Sequence, residues 1–194
     1  MTSCSVFLRA VVLIVAATGA ASSAVATPTV WAGPTISFAK ASGADFTLPV
    51  NQDHLTSSVA LTRASSQGIF NILDEGNFTI GSPAGTRWAT ALNNPSDTIA
   101  ATNWGALDFT TWAAAYANNV GTNILNYNAV VHLLADDAYL DLRFTSFQGG
   151  GSGGGFAYER STPVPEPTAA LHFLAGLVPL LALKSCLPRT QLIP

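Results

Sequence analysis

Cysteine is nearly absent: the 194 residues hold two, Cys4 and Cys186, and both stand outside the stretch from Thr27 to Thr162. That stretch is therefore held together without disulfides and without thiolate metal sites, even in an oxidising compartment. Charge is also scarce, at 10% of residues. Between residues 27 and 167 five basic side chains (Lys40, Arg63, Arg87, Arg143, Arg160) face eleven acidic ones, so the balance is −6. An acidic segment with no basic run excludes nucleic acid as the expected partner. The sequence also lacks H-E-x-x-H, G-x-S-x-G and the glycine patterns that cradle nucleotides. Its histidines are three, His54, His132 and His172. No catalytic residues are expected, and the chain reads as a non-enzyme.

What the sequence does have is concentrated at its ends. It opens with Arg9, an apolar run over 10–17, then Thr18-Gly19 and small residues closing on Ala24-Val25-Ala26. A positive start, a short apolar stretch and an A-x-A site predict a secretory signal peptide over 1–26, with Ala24 and Ala26 as the cleavage residues. An N-terminal anchor is the alternative, but the run is short and the small-residue site follows directly. Cys4 precedes the apolar stretch, which excludes a lipoprotein cleavage point. Near the other end, Pro163, Pro165 and Pro167 keep the backbone extended. Residues 168–183 then carry no charge. As a helix they would span roughly 24 Å, short of the ~30 Å hydrocarbon core, with Pro179 as a kink. That is a temporary anchor. Lys184 and Arg189 beyond it place the last residues in the cytoplasm and the main body outside.

Val164-Pro165-Glu166-Pro167-Thr168, the apolar run and the basic end together resemble the PEP-CTERM sorting signal of Gram-negative bacteria. The resemblance covers residues 163–194. In members of that family the basic residues form a tight cluster, whereas here Lys184 and Arg189 stand apart. It implies that Val164, Pro165, Glu166 and Pro167 form the sorting motif read by an exosortase, and that signal peptidase acts at the other end. It further implies transient anchoring in the inner membrane and delivery to the cell surface, extracellular matrix or biofilm. An ordinary short anchor behind a Pro-rich linker is the competing reading.

Residues 27–162 remain as one extracellular domain, large enough for a core. Short apolar stretches alternate with turn residues throughout. Strands are expected over 30–38, 59–63, 68–73 and 78–80, with 44–53 a loop and 88–92 ambiguous. Asp108 is a possible cap for a helical turn over 108–116 that carries Phe109, Trp112, Ala113 and Tyr116. The clearest pair is 128–134 and 138–144, a hairpin about Ala135-Asp136-Asp137. In its second strand Ala138, Leu140, Leu142 and Phe144 share one face. A glycine-serine loop over 149–155 and a strand over 156–160 complete an all-β reading, a β-sandwich or jelly roll. The stretches Trp31-Ala32-Gly33-Pro34, Asp136-Asp137-Ala138-Tyr139 and Gly154-Gly155-Phe156-Ala157-Tyr158 resemble an uncharacterised domain found with surface-sorting tails. That resemblance implies no activity.

Binding chemistry has few candidates. Asp136, Asp137 and Asp141 are the candidate Ca2+ ligands, with Asp45, Asn51 and Asp53 as a second oxygen-rich loop, set against acidic turn residues facing water. Trp88, Trp104, Trp112 and Tyr139 would stack on sugars if exposed, but tryptophans in so short a domain favour the core. His132 reads as a strand histidine rather than a ligand. Asn77-Phe78-Thr79 matches a glycosylation sequon. The expected function is a non-catalytic exported surface or matrix protein. The alternative is a carbohydrate- or calcium-binding module acting on exopolysaccharide.

Overall fold

A computed structural model describes residues 27–96 and 98–164. They form a mostly β structure with few helices. The strands are β1 (Thr29–Trp31), β2 (Ile36–Lys40), β3 (Asp53–His54), β4 (Ala60–Arg63), β5 (Ile69–Asn71), β6 (Thr86–Thr90), β7 (Ala129–Leu133), β8 (Ala138–Phe147) and β9 (Phe156–Arg160). Two short helices, α1 (Trp112–Ala115) and α2 (Val120–Asn123), lie between β6 and β7. The larger sheet runs β2-β9-β8-β7-β6, all antiparallel, and β3-β4-β5 form a second antiparallel sheet.

The ten residues of β8 make it the organising strand. One edge takes β7 along Ala138 to Leu142. The other edge is shared: β1 pairs parallel with Ala138 to Leu140, and β9 takes over from Leu142 to Phe147. A bulge between Phe144 and Ser146 shifts the register of the second pairing. Where β1 and β9 meet, the Gly33 N–H donates to the Thr162 carbonyl at 2.8 Å.

Period-2 alternation gives the larger sheet two different faces. Trp88, Val131, Leu140, Phe144 and Tyr158 enter a core cluster that also contains Val59, Leu61 and Ile69 of the second sheet. Fully burying side chains of this size stabilises by about 1.5–3 kcal/mol each. The opposite face carries Ala89, Val130 and Tyr139, and a smaller cluster forms there against Ala101 and Leu107. A 3-10 turn (Ala101–Ala106) supplies that cover. It is why Tyr139, on the polar side of the strand by alternation, is buried.

Two local expectations fail for identifiable reasons. Residues 78–80 are not a strand. The Phe78 N–H donates to Asn77 Oδ1 at 2.9 Å and the Thr79 N–H to Ser82 Oγ at 2.8 Å, so local acceptors replace a ladder. Glu75 fastens the same loop by accepting from the Asn71 and Ala84 N–H groups. Asp108 is not a helix cap, because α1 starts at Trp112 behind Thr111. Thr110 instead exchanges backbone hydrogen bonds with Trp88, which keeps the preceding residues extended beside β6.

Candidate functional site

Alternation places two arginines on the core-facing side of their strands. Arg160 lies in phase with Phe156 and Tyr158 on β9, and Arg63 lies in phase with Leu61 on β4. Arg160 is 6% exposed and forms a bidentate pair with Asp53 of β3, Nε to Oδ2 at 2.6 Å and Nη2 to Oδ1 at 2.8 Å. The Tyr158 hydroxyl donates to the same Oδ2 at 2.7 Å. Burial pulls the Arg160 pKa down, but the hydrogen bonds and charge of Asp53, together with Tyr158, outweigh that and hold it above the usual value. Burial, reinforced by the Asp53 charge, raises the Tyr158 hydroxyl well above the phenol range. A fork-to-fork pair of this kind is satisfied on both sides and joins strands of the two sheets.

Arg63 is set differently. It is 1% exposed, yet no carboxylate pairs with it among the described residues. Nε donates to the Gln67 carbonyl at 2.8 Å, Nη1 donates to the Gly155 carbonyl at 3.1 Å, and the guanidinium lies 3.8 Å from the centroid of the Phe147 ring. Lys40, also buried, reaches only the Ala41 and Gly154 carbonyls at 3.5 Å. Its pKa is lowered first by burial and then by the neighbouring Arg63 charge. Burial likewise lowers the pKa of Arg63. The glycine loop closes over this pair. Gly154 has φ +67°, and an added Cβ there would run into the Ala64 carbonyl, so the second half of the loop is packed rather than free.

Two clefts among the described residues bear on these side chains. One, about 310 Å³, is walled by Phe78, Trp112, Val120 and Phe147, with Arg63 and Gln67 among its polar groups. The other, about 480 Å³, lies over the middle of β8 and the end of β9, where Asp141, Arg143, Glu159 and Ser161 meet Ile99 and Thr102. Arg143 stands opposite Glu159 in the ladder.

The expected calcium ligands are placed apart. Asp137 Oδ1 lies 3.0 Å from His132 Nε2, while Asp141 Oδ1 accepts the Ala101 N–H at 2.8 Å. Three residues, 138–140, separate these two aspartates, and four strand steps amount to roughly 13 Å. Asp136 sits in the turn before β8. Asp53 is taken up by Arg160, and Asp45 accepts from the Thr47 N–H at 2.9 Å, the main cause of its lowered pKa. No three ligating side chains converge among the described residues. Trp88 and Trp112 are core residues, whereas Trp104 stacks on Tyr139 at 4.7 Å and Tyr139 on His132 at 4.2 Å. Ala24, Ala26, Pro165, Glu166 and Pro167 lie outside the described residues, and Val164 is exposed. No helix among the described residues is long and apolar enough to cross a membrane.

No family model, curated protein or solved structure matches the chain. Its chemistry is therefore read from its own residues. The two arginines are what sequence reasoning passed over, although period-2 alternation had already put both on apolar faces.

Proposed function

We propose that the chain is an exported protein of a Gram-negative bacterium, sorted by an exosortase to the cell surface or extracellular matrix. Its working part is a non-catalytic β-sandwich. The carrying observation is the order Val164-Pro165-Glu166-Pro167, an uncharged run over 168–183, then Lys184 and Arg189. The start of the chain supports the same reading through its apolar run and Ala24-Val25-Ala26. Signal peptidase and exosortase are the processing partners, and the C-terminal run anchors the protein in the inner membrane until it is cut. The sandwich is supported by a core cluster drawn from both sheets and by the Asp53–Arg160 pair between them.

Intact mass of the protein recovered from its host's surface and medium tests this reading. A species beginning near Thr27 and ending around Pro165 to Thr168 is expected. A species that keeps Lys184 to Pro194 would contradict removal of the tail.

A second reading, a carbohydrate-binding module on exopolysaccharide, is favoured by the 480 Å³ cleft, where Asp141, Arg143, Glu159 and Ser161 offer donors and acceptors for hydroxyl groups. Of the expected Ca2+ ligands Asp136, Asp137 and Asp141, only Asp141 lines that cleft, so Ca2+ would enter that reading through Asp141. Calorimetric titration with host polysaccharide tests the second reading, which expects heat that Arg143→Ala, a change in the 480 Å³ cleft, abolishes.

A further inference from the structure

The geometry points to a binding site for a ring-bearing carboxylate in the 310 Å³ cleft, with Arg63 as the anion partner and Phe147 and Trp112 as its aromatic walls. This goes beyond the export reading and does not depend on it.

Three observations carry the assignment. First, the residues lining the cleft include Arg63 and no aspartate or glutamate. A buried guanidinium without a counter-charge is costly, and carbonyls and a phenyl face offset that cost only in part. Among the described residues, Arg63 Nη2 makes no hydrogen bond, so the planar fork has a free donor. A carboxylate is the group whose geometry matches that fork. Second, Lys40 brings a further positive charge to the same glycine loop, hydrogen-bonded only to carbonyls and balanced only through space by Asp45. Third, the remaining wall is aromatic, formed by Phe78, Trp112 and Phe147. Phe78 meets the Trp112 ring edge-on at 6.0 Å, and Phe147 meets it tilted at 5.9 Å. Flat apolar faces of this kind take the face of a ring.

The cleft lies at the low end of the volume range of small-molecule sites, which suits a single ring rather than a long chain. Two sources share that chemistry, a uronic acid unit of an acidic polysaccharide and an aromatic carboxylic acid.

The test uses the full-length chain labelled with 15N-tryptophan, whose four tryptophans give four indole signals. Sodium glucuronate, its neutral methyl ester, benzoate and glucose are titrated separately. The Trp112 signal is expected to move and saturate with glucuronate or benzoate, and the ester and glucose are expected to bind at least 10-fold more weakly. Tighter binding of glucuronate than of benzoate identifies the sugar acid, and the reverse order the aromatic acid. Arg63→Met is expected to abolish both responses while the Trp31, Trp88 and Trp104 signals stay in place. If that variant does not fold, the ester comparison on the parent chain still decides whether charge is required. Equal shifts with the acid and its ester, no shift with either acid, or an unchanged response in Arg63→Met would overturn the assignment.

Discussion

Arg160 and Arg63 are the same residue type, both almost fully buried, yet their surroundings differ. Arg160 meets a carboxylate through two hydrogen bonds, and a tyrosine hydroxyl completes the cluster. Arg63 meets two backbone carbonyls and a phenylalanine ring beside an aromatic cleft. Burial alone therefore does not tell what a charged group is for. The satisfied pair belongs to the architecture, because removing one partner leaves the other charge stranded. The arginine without a carboxylate partner fits a site whose counter-charge arrives from outside.

The largest expected effect breaks the satisfied pair. Arg160→Met strands the Asp53 carboxylate and should destabilise by about 3–5 kcal/mol in urea unfolding. The triple change Asp53→Leu, Tyr158→Phe, Arg160→Met should recover most of that loss, because no buried charge or hydroxyl is left unpaired. Next comes the loop that closes over Arg63. Gly154→Ala forces a strained φ and a backbone collision, and should lose about 1–3 kcal/mol. Gly150→Ala, which meets open space, should stay within about 0.5 kcal/mol in the same assay.

Tyr158→Phe should lose about 1 kcal/mol near neutral pH for its single hydrogen bond. Its pH signature is more specific. The folded Tyr158 pKa is raised, so its contribution is complete below about pH 10, the unfolded value, and fades as pH climbs toward the folded one. Unfolding midpoints taken from pH 9 to 12 should therefore fall less steeply in the variant. Arg63→Met falls in the same small range. With no buried carboxylate to strand, it should change stability by no more than about 1 kcal/mol, against several for Arg160→Met. Equal losses in the two methionine variants would erase the distinction between the arginines.

Strands were legible in the sequence wherever apolar residues alternated over several positions. The β7–β8 hairpin, with Leu133 opposite Ala138, follows directly from that periodicity. So does the inward row Leu140, Leu142 and Phe144. The 3-10 turn over Tyr139 was not legible, because Ala101, Trp104 and Leu107 cover the strand from far away in the chain and carry no period of their own. Residues 78–80 had strand composition, but Asn77 and Ser82 side chains captured their donors first. The clefts were hidden for a related reason: Arg63, Trp112 and Phe147 come from three separated segments, and only the packing of the sheets brings them together.

Ligand-linked stabilisation tests the contrast most directly. The urea midpoint of the full-length chain is measured with and without saturating glucuronate or benzoate, for the parent and for Arg63→Met. At ten times Kd a ligand bound only to the folded state adds about 1.4 kcal/mol. A higher midpoint in the parent and an unmoved one in Arg63→Met is the expected result. A parent that gains nothing from either acid, or a variant that gains as much as the parent, would contradict it.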